Sequence, residues 1–206
     1  MLVVCVGLSA SAQAAQFQYT WEKPVGFIPT SSFIAAPTAF LAFCKRHPSD
    51  CTPDPAPRYV WLDATRMRDL NTTNMDVNDS LMFNTDLPGH DTWDYPGADG
   101  YGDCEDYALE KRRRLMALGW PESSLLLALA QVKGEEIEAW KYHVVLVART
   151  AQGDYMLDDG IRPAVPWRDA AELYTFISMQ TPENPQIWAN INQSRNASID
   201  SGSIVR

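Results

Sequence analysis

The chain has 206 residues, 46% apolar and 21% charged, the makeup of an ordinary globular domain with a core of its own rather than of a disordered chain. Its formal net charge is -9 and its pI about 4.7, and its basic run Lys111-Arg112-Arg113-Arg114 would be spread around the circumference of a helix. Nucleic acid is therefore a poor partner, while an acidic balance suits solubility and a divalent cation.

At the N-terminus, Met1 to Leu8 is a short apolar run, and Ala12-Gln13-Ala14 behind it suits signal peptidase. The expectation is a signal peptide over residues 1–14, cleaved after Ala14, with 15–206 forming a single domain in the periplasm or outside the cell. A buried strand is the alternative, because no basic residue precedes the apolar run. No later stretch approaches the roughly 20 apolar residues of a membrane span.

Cleavage removes Cys5 and leaves Cys44, Cys51 and Cys104. Cys44 and Cys51 flank the polar segment Lys45-Arg46-His47-Pro48-Ser49-Asp50, which an oxidising compartment would favour closing as a disulfide. Cys104 is then an unpaired thiol, either reactive or a buried inert cysteine.

Gln16 to Pro37 reads as an extended lead-in, and Pro37 to Cys44 as a short helix with Thr38 as its cap. Pro53, Pro55 and Pro57 forbid regular structure up to Tyr59. A helical segment is expected from Val60 to about Asn74, and another from Asp76 to Asn84. Pro88 to Asp103, broken by glycines and prolines, reads as a long loop, of the kind that is commonly functional. It feeds into the clearest helix, Cys104 to Leu118, which Gly119 closes. Cys104, Tyr107, Ala108, Lys111, Leu115 and Leu118 form its inward stripe. Strand-type runs follow at Leu125 to Val132, Tyr142 to Arg149 and Asp154 to Leu157, the last two joined as a hairpin by Thr150-Ala151-Gln152-Gly153. The tail is expected to be loose after about Asn192.

A thiol at a helix N-terminus gains from the unpaired N–H groups and the dipole, which makes Cys104 a candidate nucleophile. Asp103, Glu105 and Asp106 oppose this by like charge, so a histidinium or a cation must offset them. Of the three histidines, His47 lies in the disulfide loop, at the surface, whereas His143 opens an apolar strand that seats it rigidly. His143 is the candidate base, with a core histidine as the alternative. Across the hairpin its partner falls near residues 158 to 160. Asp158, at the strand end, is preferred over Asp159 as the carboxylate that orients the imidazole, and an acidic turn is the alternative.

Gly102-Asp103-Cys104-Glu105-Asp106-Tyr107-Ala108, His143-Val144-Val145-Leu146 and Gly153-Asp154-Tyr155-Met156-Leu157-Asp158 resemble the bacterial transglutaminase-like cysteine proteinases. Asp91-Thr92-Trp93, Trp167, Trp188 and the Cys44 and Cys51 pair also fit. The resemblance implies an α+β, papain-like fold in which a cysteine-bearing helix packs on an antiparallel sheet that supplies His143 and then Asp158. It also implies a protein or peptide substrate cleaved through an acyl-enzyme, with the Cys104 N–H in the oxyanion hole. Members of the family bind calcium through the acids flanking the cysteine, here Asp103 and Glu105, for which helix caps are the alternative. Such members cleave a surface adhesin and are held by a membrane-anchored regulatory receptor that senses a cyclic dinucleotide. A transglutaminase or amidase would use the same triad, and a calcium-dependent binding module would need Cys104 only structurally.

Overall fold

A computed structural model describes residues 25–86, 90–134 and 142–192. The signal-peptide expectation over 1–14, and the tail beyond Asn192, lie outside the described residues. The elements in chain order are β1 (Thr30–Ala35), α1 (Thr38–Arg46), α2 (Ala64–Ser80), β2 (Met82–Phe83), β3 (Tyr101–Gly102) and α3 (Cys104–Ala117). Then come β4 (Leu125–Val132), β5 (His143–Thr150), β6 (Gly153–Leu157), β7 (Val165–Pro166), α4 (Trp167–Ala170), β8 (Tyr174–Thr181) and β9 (Asn184–Ile191). Seven strands form one antiparallel sheet in the order β1-β9-β8-β4-β5-β6-β7. The fold is thus α+β, with α3 packed on the sheet, as the resemblance implies. Among the described residues, no helix is long and apolar enough to cross a membrane.

Both sheet faces are covered, which is why β4 reads as a nearly continuous apolar run. Leu125, Leu127, Val144, Leu146 and Leu157 meet Phe40 and Phe43 of α1, Leu70 of α2 and Leu109 and Leu115 of α3. On the opposite face Leu126, Val145, Val147 and Met156 meet Trp167 of α4, Phe176 and Met179. The β5–β6 hairpin turns through Ala151-Gln152, with Thr150 opposite Gly153. Gly153 adopts φ +121°, and a Cβ there would collide with the Gly26 backbone.

Several expectations need correction. Val60 to Leu62 is outside the helix: α2 begins after Asp63, whose carboxylate caps it by accepting from the Arg66 N–H at 2.8 Å. It then runs unbroken to Ser80, through the junction expected near residue 75, because no glycine or proline interrupts it. Met82 and Phe83, expected as helix, pair in parallel with Tyr101 and Gly102 instead. Thr38 is the first residue of α1 and makes no cap. Leu118 is exposed, although the rest of its stripe faces inward. The lead-in contains edge strand β1, and the residues before the tail are β8 and β9, with Trp188 fully buried between Phe40 and Trp93.

Cys44 and Cys51 are joined by a disulfide, with Cα atoms 5.5 Å apart. It ties α1 to the short 3-10 turn Pro48–Cys51, and closing so short a loop is worth about 2 kcal/mol.

Candidate active site

α3 and β5 position the candidate residues. Cys104 is the first residue of α3, and its Sγ accepts a hydrogen bond from the Val144 N–H at 3.4 Å and lies 3.9 Å from the Tyr142 carbonyl oxygen. The thiol therefore rests on the backbone on both sides of His143. It is the free cysteine of the described residues.

The His143 ring is held from two directions. Its Nε2 lies 2.6 Å from Asp158 Oδ2 and 3.5 Å from Asp159 Oδ1, and its ring stacks on Tyr174 at 5.4 Å. An Nε2–H donated to Asp158 leaves Nδ1 as the ring nitrogen that can take a proton. Asp158 sits at the end of β6, 1% exposed, and also accepts from the Tyr174 hydroxyl at 3.1 Å and the Gly160 N–H at 2.7 Å. The Asn78 side chain of α2 donates to its carbonyl at 2.9 Å.

Electrostatics set these groups apart. Burial opposes ionisation of Asp158, but the hydrogen bond and charge of His143 hold its carboxyl below the ordinary value. Burial likewise depresses the His143 imidazole, and the bond and charge of Asp158 outweigh that and raise it. Asp159 is pushed up by burial and by Asp158, although His143 opposes the rise. Burial pushes the Cys104 thiol well above its ordinary value, and Glu105 and Asp103 add to the rise. The helix terminus alone therefore does not produce a thiolate.

The acidic neighbours of Cys104 form a second cluster. Carboxylate oxygens of Asp86, Asp103 and Glu105 lie within 4.8 Å of one another. Asp103 Oδ2 accepts from the Asp86 N–H at 3.3 Å, while its Oδ1 is buried without a hydrogen-bond partner. Asp103 stands at the N-cap of α3 yet makes no side-chain cap bond, so capping does not account for it. Glu105 is 6% exposed, and burial and then Asp103 push its carboxyl up to about 9. The Cys104 thiol donates to Glu105 Oε2 at 3.0 Å.

Sequence reasoning misses Asp86, which stands 17 residues before Asp103 and carries no local pattern that would single it out. The loop that separates them is pinned by Trp93, 3% exposed in the core, and by the Asp94 N–H, which donates to Asp106 Oδ1 at 3.1 Å. Gly102 is needed for this, since a Cβ there would press on the Asp106 side chain. His47 is outside the site and part-buried, paired with Asp94 at 2.8 Å, and His90 is exposed.

The family model described as bacterial transglutaminase-like cysteine proteinase BTLCP matches residues 30–196. No curated protein matches the chain. Among solved structures, calcium-bound LapG of Legionella pneumophila is similar at 22% identity and a TM-score of 0.50, over 74% of this chain and 78% of that one. A further LapG structure from the same organism is 21% identical, with a TM-score of 0.47, over 78% of this chain and 83% of that one. The shared fold and a family match that spans the cysteine helix and the sheet make this chain a member of the bacterial transglutaminase-like cysteine proteinases, and a cysteine peptidase.

Proposed function

We propose that the protein is an endopeptidase with Cys104 as nucleophile, His143 as general base and acid, and Asp158 as the carboxylate that orients the imidazole. The observation that carries this reading is the seating of the thiol on the Val144 N–H, next to a His143 whose Nε2 is bound by buried Asp158. Transfer of the thiol proton to His143 Nδ1 frees the sulfur to attack the scissile carbonyl. The Asp158 carboxylate stabilises the imidazolium so formed, which then protonates the leaving amine. Water resolves the acyl-enzyme, and the Cys104 backbone N–H at the start of α3 faces the oxyanion.

Calcium belongs to the same proposal. Asp103, Glu105 and Asp86 would hold it, and three hard oxygen donors with an orphaned buried Asp103 Oδ1 fit such an ion. Bound calcium supplies positive charge that offsets the carboxylates beside the thiol. The calcium-bound state of the similar LapG structure supports the choice of ion. A surface adhesin as substrate, a membrane-anchored receptor as regulator, and a periplasmic or secreted location rest on family resemblance, the last also on the apolar N-terminal run.

The test is thiol reactivity coupled to cleavage of a protein substrate. Iodoacetamide at neutral pH in saturating calcium is expected to label Cys104 and abolish proteolysis together. Slow labelling that leaves cleavage intact would reject Cys104 as nucleophile.

A further inference from the structure

Beyond β6 the chain leaves the sheet just before the candidate carboxylate. The ladder with β5 ends at Leu157 and that with β7 covers Tyr155 and Met156, so Asp158 is the first residue that no strand pairs with. Residues 158–164 have no regular structure, and their backbone groups need partners elsewhere. Three asparagines of α2, spaced three and four residues apart along one side of the helix, supply them. Asn78 Nδ2 donates to the Asp158 carbonyl at 2.9 Å, and Asn74 Nδ2 to the Ile161 and Arg162 carbonyls at 2.6 and 2.8 Å. The Ala164 N–H donates to Asn71 Oδ1 at 2.9 Å.

These asparagines are poor local choices. Asparagine is a weak helix former, and the Oδ1 atoms of Asn74 and Asn78 are buried without a hydrogen-bond partner among the described residues. The carbonyls they face can only accept, so neither amide can turn over to relieve its oxygen. A leucine would suit the helix better and bury no unpartnered atom, so what the amides hold must account for them. Partnering the loop backbone is reason enough for Asn71 and Asn74. Asn78 differs, because the carbonyl it holds belongs to the residue whose carboxylate reaches His143. His143 and Tyr174 meet that carboxylate, whereas Asn78 meets the main chain that carries it, and does so from a helix.

We propose that Asn78 is a positioning residue of the catalytic centre: by holding the Asp158 main chain to α2 beyond the end of the sheet, it aims the Asp158 carboxylate at His143 Nε2. This rests on the triad reading above. Asn78 touches neither substrate nor reacting atoms; it acts through Asp158.

The test compares Asn78→Leu with Asn71→Leu, which releases the same loop at Ala164 and leaves Asp158 alone. In the full chain carrying Cys104→Ser, NMR follows the Nε2–H proton of His143, which a short bond to a carboxylate draws downfield, and no activity is needed. Asn78→Leu is expected to move this resonance upfield while Tm stays within about 3 °C of the parent, since the lost partner of one carbonyl is offset by removal of one unpartnered oxygen. Asn71→Leu should lower Tm and leave the resonance in place. With Cys104 intact, Asn78→Leu should lower kcat about ten- to a hundredfold with KM within about twofold, and Asn71→Leu should leave kcat within about twofold. An unmoved resonance in Asn78→Leu overturns the proposal, as does an equal shift in Asn71→Leu, which would assign the effect to the loop as a whole. If Asn78→Leu does not fold, Asn78→Ala, which removes the donor and leaves room, is read by the same resonance with the same two outcomes. Full activity in His143→Ala would sink the triad reading instead, and the resonance would still decide whether Asn78 aims Asp158 at the imidazole.

Discussion

Cys104 lies between two clusters of ligand-type side chains: Asp86, Asp103 and Glu105 touch it through Glu105, while His143, Asp158 and Asp159 lie against it through Val144. Each has its oxygen or nitrogen atoms within 4.8 Å of one another, but the two differ in how those atoms are hydrogen-bonded. Around His143, Asp158 is fully partnered by the ring, the Tyr174 hydroxyl and the Gly160 N–H. Around Glu105, carboxylates face carboxylates and Asp103 Oδ1 has no partner. A cluster completed by its own chain is suited to moving a proton, and one left short of positive charge is suited to holding a cation.

The largest effect should come from the completed cluster. His143→Ala is expected to lower kcat at least about a thousandfold, with near-UV circular dichroism unchanged, while His47→Ala and His90→Ala stay within a few-fold of the parent. Loss of activity in His90→Ala with His143→Ala spared would move the base elsewhere.

Removing calcium should act next, and on the other cluster. Chelation with EGTA is expected to lower activity reversibly and to lower Tm, since at hundredfold saturation a ligand of the folded state contributes about 2.7 kcal/mol. Asp86→Asn should imitate chelation as Asp103→Ala and Glu105→Ala do. Full activity in EGTA after exhaustive dialysis, with no calcium binding by calorimetry, would reduce the trio to a cluster of carboxyls without an ion and erase the contrast.

The two clusters are also unequally legible in the sequence. Cys104, His143 and Asp158 can be read because each sits where local pattern is strong: a helix start after a glycine-rich loop, a strand start, and the far end of a hairpin whose turn fixes the register. Asp86 cannot, because only the tertiary path of the loop brings it beside Asp103. The same reason hides β1, β8 and β9. Asn184-Pro185-Gln186 looks like loop until β8 pairs with it, and the exposed residues of β1 carry no apolar alternation. Tyr174 bears on the site only through such a long-range contact.

A smaller effect is expected from pH. Because Asp158 raises His143 above its ordinary value, the stability this pair contributes is fully present below about pH 6.5 and is lost as pH rises through the folded-state value. Tm measured in saturating calcium should therefore fall between about pH 6 and the folded-state midpoint by more in the parent than in His143→Gln. Parallel curves would mean that the pair adds no proton-linked stability.

Tyr174→Phe should give the smallest change, and it separates the two ways in which Tyr174 meets the completed cluster. The ring stacks on His143 at 5.4 Å, and the hydroxyl donates to Asp158 Oδ2 at 3.1 Å. Phenylalanine keeps the stack and removes the donor. Asp158 retains His143 and the Gly160 N–H, so its charge remains partnered and the loss is that of one buried hydrogen bond to a carboxylate, about 1.5 kcal/mol. For a domain of this size that lowers Tm by about 3 to 6 °C. Activity should fall less than about tenfold, because His143 is still oriented by Asp158 and by the stack. Tyr174→Ala, which loses both contacts and opens a cavity, should cost several-fold more in each readout. Equal effects from the two substitutions would assign the whole contribution to the hydroxyl, and the stacked ring would then have no part in aiming the imidazole.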